Sequence, residues 1–83
     1  MTMNNVSETN IFITSDLSLA TVLSLFFPLD GIEKKDPHKA QFLFIRQKEL
    51  DQIIESYWRK ELKIEPQLLF SQLKFIKTRL YSQ

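Results

Sequence analysis

Four large apolar residues in a row, Phe42-Leu43-Phe44-Ile45, constrain this chain most. Side chains of a strand alternate between faces, so in a strand over 40–46 Phe42 and Phe44 share one side and Leu43 and Ile45 the other. A strand apolar on both faces should be central in its sheet, or nearly so. Ile11-Phe12-Ile13 is a further short β-rich run, and residues 31–35 read as a strand joined to 40–46 through Asp36-Pro37-His38-Lys39.

The remaining patterns are helical. Thr14-Ser15-Asp16 stops the first strand, and the Asp16 carboxylate is placed to cap a helix over 17–27, accepting from free N–H groups and complementing the dipole. Pro28 restricts its predecessor and ends that helix, and Asp30-Gly31 is a turn signal. The helix has an apolar arc of Leu19, Ala20, Val22, Leu23, Phe26 and Phe27. Its other face, Ser18, Thr21 and Ser24 with Leu17 and Leu25, bears no charge, where a surface helix ordinarily places Lys and Glu. Either the fold covers that face or a partner does.

A helix over 48–62 follows the i, i+3, i+4, i+7 rule through Leu50, Ile53, Ile54, Tyr57, Trp58 and Leu62. Leu50, Ile54, Tyr57 and Trp58 are expected to form the central core with strand 40–46 and the first helix. Glu55 and Arg59 are spaced to pair on its solvent side. Pro66 opens a third helix where a missing N–H costs nothing, and Leu69, Leu73, Ile76 and Leu80 give it a narrow stripe. The order β-α-β-β-α-α predicts an α+β domain, a small, largely antiparallel sheet with three helices against it.

The 83 residues suit one domain over 11–83 behind a flexible tail of residues 1–10. A chain this long buries roughly 60–65% of its unfolded surface, enough for a thin core. The absence of cysteine excludes a disulfide framework and fits a reducing compartment. The longest apolar stretch, 17–29, is too short to cross a bilayer, and no basic segment precedes it as in a signal peptide. A cytoplasmic protein with no membrane partner is therefore expected.

Charge is divided along the chain. Residues 1–33 hold four acids and no Lys or Arg, whereas residues 34–83 hold all eleven bases against six acids. The last eighteen residues carry Lys74, Lys77 and Arg79 and no acid. On a helix Phe70, Lys74, Lys77 and Tyr81 align along one flank of the apolar stripe, and basic side chains interleaved with aromatic ones can neutralise phosphates and stack on bases. The competing reading is that Phe70 and Tyr81 widen the core edge while the lysines reach past it. Lys74, Lys77 and Arg79 are expected to face solvent. Arg59, Lys60 and Lys63 add three bases near the end of the second helix, where they also suit its negative end. Two further surfaces suit a protein partner: the uncharged face bearing Ser18 and Thr21, and Leu68 with Phe75 on the other flank of the third helix.

Catalytic chemistry finds little support. His38 is the single histidine and lies in a turn, where a solvated residue is the ordinary reading. Ser15-Asp16 has no assignable base or oxyanion donor. The i, i+4 carboxylate pairs Asp51–Glu55 and Glu61–Glu65 lack a second cluster to complete a metal shell. Neither a catalytic residue, a metal nor a cofactor is expected.

The run Ile13-Thr14-Ser15-Asp16-Leu17-Ser18-Leu19-Ala20 resembles the opening of a family of small uncharacterised bacterial domains that begin S-D-L-x-L-A. Members continue with a Gly-containing turn, a Phe-rich hairpin, a Tyr-Trp pair and a Pro-started helix. Here those features correspond to Gly31-Ile32-Glu33, Phe42-Leu43-Phe44, Tyr57-Trp58 and Pro66-Gln67-Leu68-Leu69-Phe70. The resemblance spans most of 11–82 and implies a fold but no catalytic residues. The expected function is non-catalytic binding, as an accessory or regulatory subunit of a protein or nucleoprotein complex. The alternative is direct nucleic-acid binding by the basic, aromatic flank of the last helix.

Overall fold

A computed structural model describes residues 10–36 and 39–82. Pro37 and His38, expected in a turn, and residues 1–9 of the expected tail lie outside the described residues. The elements are β1 (Ile11–Thr14), α1 (Leu17–Phe26), β2 (Gly31–Asp36), β3 (Lys39–Ile45), α2 (Lys48–Trp58) and α3 (Pro66–Tyr81). The fold is α+β in the order β-α-β-β-α-α, as the patterning predicts.

The sheet order is β1-β3-β2, both pairs antiparallel, so the doubly apolar strand is the central one. Phe12 pairs with Phe44, and Thr14 and Ile32 flank Phe42, on the face that carries the helices. Phe42 and Phe44 are buried there in one cluster with Leu19, Ala20 and Leu23 of α1, Leu50 of α2 and Ile76 of α3. Ile11 pairs with Ile45, and Ile13 and Gly31 flank Leu43, on the opposite face. That face is thinly covered, with Ile13 49% and Ile45 46% exposed. The register of edge strand β2 breaks between Glu33 and Asp36, an irregularity that discourages further strand pairing.

Helix α1 is the hub: it packs against α2, α3 and β1. Its start is fixed by Asp16, whose Oδ1 accepts from the N–H groups of Ser18 (2.9 Å) and Leu19 (3.2 Å). Its central position explains the uncharged second face. Thr21 is buried, and its hydroxyl donates to the Leu17 carbonyl at 2.8 Å, satisfying itself within the helix. Ser24 donates to the Thr21 carbonyl and accepts from Gln72 Nε2 of α3 at 2.9 Å. The fold thus covers most of this face, and Thr21, expected at a binding surface, is interior.

Helix α2 stops at Trp58, four residues before the periodicity predicts. Lys60 adopts a left-handed backbone, φ 62°. The Lys60 N–H then donates to the Tyr57 carbonyl and the Glu61 N–H to the Ser56 carbonyl, the paired closing bonds of a Schellman stop. Leu62 consequently belongs to the connection and not to the helix stripe. Trp58 ends on the last turn with no element over it, 62% exposed, its ring edge-on to Tyr57 at 5.0 Å. The expectation that Trp58 is central core is corrected, while Leu50 is fully buried and Ile54 and Tyr57 pack at the core's margin.

Helix α3 begins at Pro66, and the Glu65 carboxylate accepts from the Leu68 N–H at 2.8 Å as its N-cap. Ile76 is buried and Leu69, Leu73 and Leu80 half-buried, so the predicted stripe is the packed face. At its far end Lys34 of β2 reaches across to donate to the Leu80 carbonyl at 3.0 Å.

Candidate functional site

A 16-residue helix packed through one narrow stripe has two flanks left over. At about 3.6 residues per turn, Lys77, Phe70, Tyr81 and Lys74 follow one another around one flank of α3. Phe70 is 64% and Tyr81 73% exposed, and both lysines are exposed beside them. The two rings therefore project from the domain and do not widen its core edge. Exposed rings that cluster beside an apolar cleft, unlike ones scattered singly, mark a candidate contact surface.

This flank forms one side of a groove. Where α3 approaches α1, a cleft of about 230 Å³ is lined by Ser18 and Val22 of α1, Tyr57 of α2, and Leu69, Phe70 and Leu73 of α3, with buried Thr21 at its base. Val22, Tyr57 and Leu69 also line a second cleft of about 250 Å³, closed by Lys60, Leu62 and Ile64. Phe70 and Leu73 lead the other way into a shallow depression of about 320 Å³ with Lys74, Lys77, Thr78 and Tyr81. Shared walls join the three into one continuous surface. Its floor is aliphatic and aromatic, and its charged side chains are all lysines: Lys60 at one end, Lys74 and Lys77 at the other.

No carboxylate lines the groove among the described residues. The ion pairs of the described residues lie elsewhere. Arg59 meets Glu55 at 3.0 Å, as the spacing predicts. Arg46 meets Asp51 at 3.1 Å, with its guanidinium 5.4 Å from the centre of the Phe12 ring. Neither involves a groove lysine. Partial burial raises the Tyr57 hydroxyl pKa above its ordinary 10.0, and the negative charge of Asp16 adds to the rise. Tyr57 brings a phenol to a wall it shares with Val22 and Leu69.

The sequence-predicted residues divide accordingly. The groove gathers Ser18, Lys60, Phe70, Lys74, Lys77 and Tyr81, and Thr21 sits beneath it as a structural residue. Arg79 is half-buried on the other flank, beside Phe75 and Leu68, which corrects its expected exposure. Its position in the last turn suits the negative end of α3. Arg59 is engaged by Glu55, and Lys63 is exposed on the α2–α3 connection away from the groove lining. Leu68 and Phe75 are exposed as expected.

Sequence reasoning missed Tyr57 as a groove wall and Leu62 and Ile64 as its far end. Both follow from the early stop of α2, which no glycine announces. The Glu65-Pro66 pair, a capping carboxylate before a first-turn proline, is the signal that fixes where the connection ends.

Among the described residues no three His, Cys, Asp or Glu side chains come together, and no described helix is long and apolar enough to cross a membrane. No curated protein and no solved structure matches the chain. The profile of a domain of unknown function (DUF5659) matches residues 9–82. Nearly all of its length is thus accounted for by one family of small uncharacterised domains, and the chain belongs to the DUF5659 family.

Proposed function

We propose that this domain is a non-catalytic binding module, a small accessory or regulatory subunit that joins a protein or nucleoprotein complex through the groove beside α3. The observation that carries this reading is the exposure of Phe70 and Tyr81 between Lys74 and Lys77, at the mouth of an apolar cleft. Aromatic side chains at a rimmed apolar depression are the usual anchors of protein interfaces. The setting that goes with this reading is the cytoplasm of a bacterium, which rests on the cysteine-free composition and on the S-D-L-x-L-A opening.

The test is affinity capture from the native host with wild-type and Phe70→Ala baits, with and without nuclease. A partner held by wild type, released by Phe70→Ala and indifferent to nuclease supports the reading. A partner held equally by both baits contradicts it.

Direct nucleic-acid binding is the second reading, favoured by the same two rings, which present open faces between cations as base-stacking platforms do. It requires binding to single strands that falls steeply with salt.

A further inference from the structure

Resting on the groove as a binding site, we infer that its occupant is an amphipathic helical segment of a protein, with an apolar stripe and acidic flanks. Three observations point there.

The first is the composition of the floor. Val22, Leu69 and Leu73 offer aliphatic surface, and the Thr21 hydroxyl beneath them is already bound to the Leu17 carbonyl. Such a floor cannot read base edges or phosphates, but it gains by covering side chains such as Leu or Met. Nucleic acid would use the rings and lysines at one end and leave the cleft between α1 and α3 uncovered.

The second is what the groove is made of. Every wall comes from α1, α2, α3 or the connection before α3, and no strand contributes. Adding a strand needs a sheet edge with free N–H and C=O groups, and none is available here. A helix laid beside two others needs only side-chain ridges to enter. From Phe70 to Tyr81 the α3 flank runs about 16 Å, so three turns of a partner helix match it.

The third is charge. Lys60 at one end and Lys74 with Lys77 at the other are the charged residues of the lining, and none has a carboxylate partner among the described residues. A segment with Asp or Glu flanking its apolar stripe supplies the missing partners, whereas Lys or Arg there is repelled.

The test is selection of helical peptides from a randomised display library against the intact chain and against Lys74→Glu/Lys77→Glu. Wild type is expected to enrich peptides with apolar residues at i, i+3 or i+4 and i+7 and with acidic flanks. The double variant is expected to bind these about tenfold or more weakly and to favour basic flanks. Phe70→Ala, which alters an exposed ring, is expected to lose both sets. A fluorescent single-stranded oligonucleotide competing with the selected peptides serves as a further arm. Enrichment of apolar peptides indifferent to charge, in both proteins, overturns the acidic-helix inference while leaving the groove as a binding site. Failure to enrich peptides, or displacement of them by the oligonucleotide, overturns the inference as well. Partner capture unaffected by Phe70→Ala removes the underlying reading instead, so the two failures are distinct.

Discussion

Single residues show where local rules hold and where tertiary structure overrides them. Asp16 behaves as its chemistry requires: two N–H groups at the open end of α1 are bound by one carboxylate oxygen. Asp16→Ala is expected to cost about 0.5–2 kcal/mol and Asp16→Asn little, measured by urea unfolding. Trp58 is the opposite case. It sits on the same periodic stripe as Tyr57, and periodicity cannot tell that the stripe runs out of neighbours at the helix end. With the indole 62% exposed, its fluorescence maximum should lie near that of indole in water. Trp58→Ala should cost about 0.5–1.5 kcal/mol through the lost edge-on contact with Tyr57, not the 3–5 kcal/mol of a buried tryptophan. Tyr57 carries a pH signature. Its folded-state pKa is raised, so the folded form holds its proton where the unfolded form releases it. Stability is full below the ordinary value of 10.0 and falls as pH rises through the raised one. Denaturation midpoints taken below and above 10.0 should show a smaller alkaline loss in Tyr57→Phe than in wild type.

At the scale of elements, the three strands, the cap of α1 and the start of α3 were legible because each rests on local chemistry: alternation, a capping carboxylate, a first-turn proline. The centrality of β3 followed from Phe42 to Ile45 alone. The end of α2 was not legible, because its stop is built on a lysine. Left-handed backbone strains any residue with a Cβ, and glycine is the usual occupant of this position. Lys60→Gly should therefore stabilise the fold, by up to about 1 kcal/mol in a urea titration. An unchanged or lower midpoint would mean that the Lys60 side chain contributes more to the stop than its backbone costs. The groove depended on this stop, since a helix continued to Leu62 has no connection to form the far wall. The α3 flank, Ser18 and Lys60 were readable from the sequence one by one, but not that they line a single groove.

At the scale of the molecule, the division of charge along the chain is not a division in space, since Glu33 neighbours Lys34 and Lys35 on β2. It does leave the groove lined by lysines alone among its charged residues. Of the described acids in residues 1–33, Asp16 caps α1 and Asp30 and Glu33 lie at β2, while α1 itself presents an uncharged wall to the groove. The basic second half supplies the opposite wall and every lysine of the rim. Reversing Lys74 and Lys77 to Glu should leave stability within about 1 kcal/mol, because both are exposed and unpaired among the described residues. The thinly covered outer face of the sheet, with Ile13 and Ile45, is the rival apolar surface. Backbone amide chemical shifts, followed by NMR while a selected acidic helical peptide is added, tell the two apart. If the groove is the docking site, shifts concentrate at Ser18, Val22, Tyr57, Leu69, Phe70 and Leu73 while Ile13, Leu43 and Ile45 stay in place. Shifts centred on those three sheet residues, with the groove unmoved, would contradict that reading.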